Sequence, residues 1–168
     1  VLGARTHRTP AGLAVCAALT GRIPKFGLYF DENRKAQAKV VVAAGPLSDL
    51  DYNTIGIIIG KRVGNYIPAI YGIPATATNE NLKYLGACAA SSGSVALWHA
   101  VGVTPEALHG DPFEGREPVM EFAITREMLT ETEKSLCTKH PGEVALYVTG
   151  CPHSSVAEIV KLHELMQG

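Results

Sequence analysis

Short apolar runs separated by helical patterns are the feature of this sequence that most constrains its fold. The run at residues 39–44 reads KVVVAA and is apolar at consecutive positions rather than at every second one. Further predicted strands occupy residues 26–30, 67–71, 95–101, 119–124 and 143–149. Consecutive apolar residues are typical of parallel strands that are buried on both faces. The sequence therefore predicts an α/β fold of three layers, with helices on both sides of a mostly parallel sheet.

Helix start and stop signals lie between these runs. Predicted helix starts fall at Thr9-Pro10, Ser48 or Asp49, Asn79, Thr125 and the residues after Cys151, and glycines follow several of the helices. A chain of 168 residues can bury roughly 70% of the surface that its unfolded form exposes. We therefore interpret residues 1–168 as one α/β domain, with a weak candidate boundary at residues 75–78.

Composition excludes several classes of protein. Apolar residues make up 46% of the chain and charged residues 18%, so we expect a buried core and not a disordered chain. Fifteen basic and sixteen acidic residues give a net charge of −1, which indicates neither a nucleic-acid nor a membrane-surface partner. The apolar runs are too short to span a bilayer and no secretory leader is visible, so we expect a cytoplasmic protein.

Four cysteines, Cys16, Cys88, Cys137 and Cys151, are far apart and form no CxxC pair. This spacing predicts neither a zinc knuckle nor a disulfide framework. The chain begins at Val1 and ends within a helical pattern. We therefore expect it to be a piece of a longer protein.

The segment TGCPHSS contains the strongest candidate for chemistry, Cys151. It follows a predicted strand and precedes a predicted helix, and parallel sheets bind ligands where strands end and helix N-termini present free N–H groups. A thiol near a helix N-terminus has a lowered pKa and is a better metal ligand or nucleophile. Cys151 would suit a metal better than a nucleophilic pair with His153, because residues so close on a tight turn seldom reach that geometry. The alternative is that Cys151 is a small core residue and that Ser154 or Ser155 caps the helix.

Two further segments are candidates for binding. Arg5 and Arg8 flank Thr6 in GARTHR, and guanidinium donors before a helix N-terminus suit a carboxylate or phosphate. Their alternative is a pair of solvated surface charges. Ser91 and Ser92 lie in ASSGS between a helix and a strand, where they are either ligand contacts or a polar helix end.

Two other patterns receive structural interpretations. His99 lies inside an apolar run and is interpreted as a hydrogen-bonded core histidine. Gly56-x3-Gly60-Lys61 is not a phosphate-binding loop, because it has one residue too few between the glycines and Arg62 where Ser or Thr is required.

Five segments in order resemble the large subunit, or large-subunit region, of the aconitase X family: GARTHR, AALTGRIPKFGLYFDENR, IGKRVGNYIPAIYGIP, LKYLGACAASSGSVALWHAVGVTPEA and TGCPHSS. The similarity runs from Leu2 to about Glu158. It implies an aconitase-like α/β domain and hydro-lyase (dehydratase) chemistry. The substrates implied are mevalonate 5-phosphate or cis-3-hydroxy-L-proline, and the sequence does not decide between them.

The resemblance also implies a cofactor and a partner. Family members carry iron, often as an iron–sulfur cluster held by three cysteines of the large subunit, and the cysteine of the GCPHS-type motif matches Cys151. The other two cysteines belong to segments that lie outside this sequence, so Cys16, Cys88 and Cys137 are interpreted as structural thiols. The catalytic serine is expected on a small swivelling subunit or domain. The chain therefore resembles the central part of a large subunit with an incomplete metal site.

The resemblance assigns roles to the remaining candidates. Arg5, Thr6 and Arg8 would anchor the substrate carboxylate or phosphate, Ser91 and Ser92 would be secondary contacts, and His153 would orient Cys151 or the leaving water. A phosphate would need a further cation, such as Lys61 or Arg62, and a cyclic amino acid would need a carboxylate, such as Glu32. Two alternatives remain open. The isolated chain is an inert scaffold or interaction domain, or it is a thiol enzyme that uses Cys151 with His153.

Overall fold

A four-stranded parallel sheet forms the centre of the protein. The computed structural model describes residues 1–138, 142 and 146–167. Its strands are β1 (Ala38–Val42), β2 (Pro68–Tyr71), β3 (His99–Ala100) and β4 (Met120–Ile124), in the order β3-β2-β1-β4. All three pairings are parallel, with Val40 opposite both Ile70 and Phe122. The predicted α/β fold with a parallel sheet is confirmed.

Helices and short 3-10 turns connect and flank the strands. The five helices are α1 (Ala11–Thr20), α2 (Asp49–Val63), α3 (Asn79–Gly93), α4 (Arg126–Leu136) and α5 (Val156–Gln167). Ser48 starts α2 with a reciprocal capping box, in which its hydroxyl accepts from the Asp51 N–H and its own N–H donates to the Asp51 carboxylate at 2.7 Å. Thr78 and Asn81 form the same box at α3. None of the described helices is long and apolar enough to cross a membrane.

Glycines allow α2 and α3 to pack in close contact. A Cβ at Gly60 would lie 2.0 Å from the Ser92 hydroxyl and 2.7 Å from the Ala89 carbonyl. A Cβ at Gly93 would lie only 1.7 Å from the Gly60 carbonyl oxygen. The Gly56-x3-Gly60 pattern therefore serves helix packing, which accords with its exclusion as a phosphate loop.

The two faces of the sheet are covered differently. Val40 and other alternate residues of β1 share one hydrophobic cluster with Ile59 of α2, Leu85 of α3 and Leu129 of α4, so these helices form a single layer. Among the described residues, the loop around Phe113 contacts the opposite face, where a second helical layer was predicted. Residues on both sides of the candidate boundary at 75–78 belong to the first cluster.

Three predicted strands differ from the observed structure. Residues 26–30 contain one 3-10 turn, Gly27–Tyr29, because Phe26 and Tyr29 pack around the ring of His7 and not in the sheet. The strand predicted at residues 95–101 is only His99–Ala100. Of the strand predicted at 143–149, residues 143–145 lie outside the described residues. Residues 146–149 are not in the sheet, and Leu146 and Val148 are almost 80% exposed.

Candidate functional site

Cys151 lines a cavity of mixed polar and apolar character, which lies beside the N-terminal turns of α2 and α3 and along α5. Its thiol is exposed, and the cavity has a volume of about 440 Å³. Asp49 and Asn53 of α2, Tyr84 of α3 and Glu158 of α5 contribute to the same wall. The cavity therefore combines one thiol with carboxylate, amide and phenol groups.

This cavity lies where a parallel sheet is expected to bind ligands. Helices α2 and α3 follow the carboxyl ends of β1 and β2, so their N-terminal turns lie at that edge of the sheet. Cys151 reaches this edge from the segment before α5. The predicted strand–turn–helix is wrong over residues 146–149, which do not pair with the sheet, although Cys151 still lies near the N-termini of helices.

A set of polar contacts ties the segment after Cys151 to α3. Lys83 Nζ donates to the His153 carbonyl at 3.0 Å and to Glu158 Oε2 at 2.6 Å, and the Tyr84 hydroxyl donates to Glu158 Oε1. Ser155 and Glu158 exchange capping-box hydrogen bonds, with the Ser155 N–H 2.5 Å from Glu158 Oε2. The hydrogen bonds from Lys83 and from the Ser155 N–H hold the pKa of Glu158 below its ordinary value. Glu158 is therefore ionised in this arrangement at neutral pH.

A second cysteine lies beside the cavity. The Cys88 thiol donates to Asn53 Oδ1 at 3.4 Å, and Asn53 lines the cavity. Burial raises the pKa of the Cys88 thiol, and the nearby Cys151 raises it further. Cys88 therefore stays protonated at neutral pH and holds the Asn53 side chain.

The donor set at Cys151 fits one position of an iron site. Cys151 is exposed and lines a cavity that also carries polar groups, and thiolate is a ligand that iron accepts. The described residues contain no group of three or more His, Cys, Asp or Glu side chains that could hold a metal ion. Cys151 would therefore need further ligands from outside the described part of the chain.

The predicted arginine site lies at the other end of α3. Arg8 Nη1 donates to the Ser94 carbonyl at 2.8 Å, which is the C-cap of that helix, and Arg5 forms a surface ion pair with Asp31. From Lys83 to Ser94 the helix axis runs for roughly 16 Å at about 1.5 Å per residue. The structure does not bring Arg5 or Arg8 into the cavity of Cys151.

Thr6 and His99 line a separate cavity of about 170 Å³ next to Arg34 and Glu106. Arg34 is only 6% exposed and donates to the Leu28 carbonyl at 2.7 Å and to Glu106 Oε2 at 2.8 Å. The His99 ring bonds to the Arg34 carbonyl at 2.7 Å, so the prediction of a hydrogen-bonded core histidine is confirmed. In this cluster the buried charge of Arg34 is paired with a carboxylate.

The two candidate serines have different environments. The Ser92 hydroxyl donates to the Cys88 carbonyl at 2.6 Å and approaches the Ile57 carbonyl of α2 at 3.3 Å, so it lies in the α2–α3 contact. Ser91 is exposed and bonds to the Cys88 carbonyl within its own helix. Neither serine lines the cavity of Cys151.

The remaining candidates lie outside the Cys151 cavity. His153 lines a neighbouring cavity at the start of α3 and not that of the thiol. Lys61 and Arg62 lie in the last turn of α2, and Arg62 stacks on the Phe122 ring at 5.1 Å. Glu32 is exposed in a 3-10 turn. Of the predicted site residues, Cys151 alone lies in this cavity.

Sequence reasoning missed the residues that surround Cys151. One signal was present, because Ser155 and Glu158 have the S-x-x-E spacing of a capping box. The contributions of Asp49, Lys83 and Tyr84 come from distant parts of the chain, and no local pattern marks them.

Comparisons with known proteins give one consistent result. A family model described as the aconitase X second domain matches residues 36–134. The phosphomevalonate dehydratase large subunit of Methanosarcina mazei is 40% identical over 168 residues, which are 100% of this chain and 40% of that protein. The cis-3-hydroxy-L-proline dehydratase of Pseudomonas aeruginosa is 36% identical over 171 residues, covering 100% of this chain and 30% of that protein.

A solved structure agrees with these matches. The crystal structure of Thermococcus kodakaraensis aconitase X in its holo-form superposes with a TM-score of 0.79 at 31% identity, over 99% of this chain and 42% of that one. The chain thus spans less than half the length of these relatives. Because the family model covers more than half of the chain and the similarity to relatives extends over its whole length, the chain belongs to the aconitase X family.

Proposed function

We propose that this chain is the central portion of the large subunit of an iron-dependent hydro-lyase. The enzyme removes water from a small hydroxy acid, either mevalonate 5-phosphate or cis-3-hydroxy-L-proline. The observation that supports this proposal most is the exposed Cys151, which lines a cavity at the edge of the sheet where ligands are expected to bind. Relatives named as dehydratases of both compounds match the chain over its whole length.

Cys151 is the proposed metal ligand. When bound, iron or an iron–sulfur cluster supplies a Lewis acid that polarises the hydroxyl of the substrate. The thiolate of Cys151 holds one position of that centre, and Asn53 and Tyr84 present polar groups to the same cavity. Lys161, whose ammonium lies 3.7 Å from Asp49, is a cation of this cavity that could face an anionic substrate.

Anchoring of the substrate by Arg5, Thr6 and Arg8 is a separate hypothesis. Arg8 is engaged at the end of α3 and Arg5 with Asp31, so an anchoring role requires these groups to exchange their present partners. Secondary contacts by Ser91, Ser92 and His153 belong to the same hypothesis. The test is to substitute Arg5 or Arg8 and to measure KM and kcat of the variant. If the arginine binds the ground state of the substrate, KM should rise without a matching fall in kcat.

The proposal includes a partner and a location. Several relatives are named as large subunits, which supports a small partner subunit. In this proposal the partner is a swivelling subunit or domain that carries the catalytic serine. All four cysteines lie within the described residues and are free thiols, in keeping with a reducing cytoplasm.

The decisive experiment uses the full-length large subunit assembled with its small subunit. We expect dehydration of one of the two hydroxy acids, loss of activity on iron chelation and recovery on addition of iron. Dehydration of neither compound, or full activity without iron, would contradict the proposal.

The alternative of an inert scaffold is tested on the 168-residue chain alone. Apolar residues of α1 and α5, such as Leu19, Val156 and Leu165, are exposed and favour packing against other parts of a larger protein. We expect no turnover from the chain alone. Turnover by this piece would show that its site is complete. Inactivation by alkylation without any metal dependence would instead favour a thiol enzyme that uses Cys151.

A further inference from the structure

We propose that Glu158 is a positioning residue that, clamped by Lys83 and Tyr84, fixes the segment of Cys151 against α3. This inference rests on the proposed function, because the purpose of the clamp is to present the Cys151 thiolate to iron in one place.

The contacts of the Glu158 carboxylate all join the start of α5 to α3 or to the Cys151 segment. Oε2 accepts from Lys83 Nζ at 2.6 Å and from the Ser155 N–H at 2.5 Å, and Oε1 accepts from the Tyr84 hydroxyl. Lys83 also donates to the His153 carbonyl at 3.0 Å, two residues after Cys151. The Lys83 ammonium thus holds the His153 carbonyl and the Glu158 carboxylate against the turn of α3 that contains Lys83 and Tyr84.

No fully buried residue of α5 anchors this segment in the described part of the chain, although Pro152 and Leu162 are half-buried. Helix α5 has no buried residue, and Val156 and Ile159 on either side of Glu158 are exposed. The side chain of Glu158 is by contrast only 20% exposed. Among the described residues, the polar clamp therefore connects the Cys151 segment to α3, beside the Lys161–Asp49 ion pair that connects α5 to α2.

Three protein donors on its carboxylate argue for positioning and against direct chemistry by Glu158. Both oxygens already accept hydrogen bonds from protein donors, and one of these donors is an ammonium. A carboxylate held in this way is a poor proton acceptor and has little capacity left for a metal ion. Glu158 and Cys151 nevertheless line the same cavity, and the clamp reaches the chain at His153 and Ser155, two and four residues after Cys151.

Groups that hold a metal ligand in place commonly contribute 10–100-fold to metal affinity. We therefore expect Glu158→Gln in the assembled enzyme to raise the iron dissociation constant by roughly 10–100-fold. The iron absorption bands should shift as well, since the sulfur is no longer held in one position. Lys83→Met should have an effect of similar size, and the double variant should be much less than additive because the two residues act as one pair.

The experiment measures iron affinity by competition with a chelator, the visible absorption spectrum and the circular dichroism of the assembled large and small subunits. Glu164→Gln makes the same substitution at an exposed position of α5 and is the matched control. Tyr84→Phe removes one hydroxyl from the clamp without changing its volume, and we expect a few-fold loss of iron affinity with an unchanged fold. If the Glu158→Gln variant does not fold, the iron affinity of the Tyr84→Phe variant becomes the test of the inference.

Wild-type iron affinity and spectrum in a folded Glu158→Gln enzyme, or in Tyr84→Phe where the first variant is unfolded, would overturn the inference. Equal losses in Glu158→Gln and Glu164→Gln would overturn it too. A wild-type enzyme that binds no iron would instead refute the proposed function, so the two failures are distinguishable.

Discussion

The sheet with its helical layer and the terminal segments of this chain are held by different forces. Ile55, Ile59 and Leu85 are fully buried between β1, β2 and the helices, and Gly60 brings α2 and α3 into backbone contact. Helices α1 and α5 have no buried residue, and α5 meets α3 through the polar contacts of Glu158. Cys151 lies in the second kind of region. The elements that specify the fold are therefore not those that carry the proposed chemistry, which is common for sites built on loops at the edge of a rigid sheet.

The largest contrast between the two regions is expected from one added methyl group. Gly93→Ala would place a Cβ 1.7 Å from the Gly60 carbonyl oxygen, and neither backbone can yield without separating the helices. We expect the free energy of unfolding to fall by about 3 kcal/mol. The measurement is urea unfolding of the 168-residue chain, followed by the fluorescence of its single tryptophan, Trp98.

Gly12→Ala in α1 is the matched control. No atom lies within 4 Å of the added Cβ, so the higher helix propensity of alanine should leave stability unchanged or raise it by up to about 1 kcal/mol. Equal losses at Gly12 and Gly93 would remove the distinction between the two regions.

Ion pairs provide the next contrast. Glu106→Gln leaves the buried Arg34 guanidinium without its carboxylate. Removing one partner of a fully buried pair costs about 3–5 kcal/mol, and since the Glu106 side chain is 30% exposed we expect about 2 kcal/mol. Asp31→Asn removes the partner of Arg5 in the exposed N-terminal segment and should cost less than about 0.5 kcal/mol. Comparable losses of stability in the two variants would show that the buried Arg34–Glu106 pair contributes no more than the exposed Arg5–Asp31 pair.

The stability of Glu106→Gln should also depend on pH differently from that of the wild type. The hydrogen bond from Arg34 holds the pKa of Glu106 below its ordinary value. A carboxylate with a lowered folded-state pKa stabilises the protein fully above its unfolded pKa of about 4.3, and this stabilisation is lost as the pH falls through the folded value. Stability should therefore decrease less steeply in acid for Glu106→Gln than for the wild type, measured by urea unfolding at a series of pH values. Parallel pH profiles would contradict the pairing.

The smallest expected effect separates the two neighbouring serines. Ser92→Ala removes hydrogen bonds in the α2–α3 contact and should cost about 1 kcal/mol of unfolding free energy. Ser91→Ala, on the exposed side of the same turn, should change stability by less than about 0.5 kcal/mol. Urea unfolding measures both. A larger loss of stability in Ser91→Ala than in Ser92→Ala would contradict the placement of Ser92 in the α2–α3 contact.

The fold was largely predictable because its signals are local. The consecutive apolar residues that include Val40 identify β1, and Ser48 identifies the start of α2. Residues 26–30 were predicted wrongly because the same aromatic residues that favour a strand here pack around His7, a contact that no local pattern reveals. A strand at residues 146–149 fails for a related reason, since its apolar residues have no described partner to pack against.

The candidate site was predictable only in part. Cys151 could be found because helix N-termini gather at one edge of a parallel sheet, and its cavity lies there. Lys83 and Tyr84 contact Glu158 from more than seventy residues away. Such contacts depend on how α5 docks on α3, and no spacing within either helix encodes that arrangement.

The most direct test of the central claim is the iron content of the assembled large and small subunits with Cys151→Ala, measured by mass spectrometry beside Cys137→Ala. Cys137 is also an exposed thiol but lies outside the cavity, so its variant controls for loss of a surface cysteine. We predict wild-type iron content in Cys137→Ala and a fall to background in Cys151→Ala with the fold retained. Full iron content in Cys151→Ala would contradict the claim that this sulfur binds the metal.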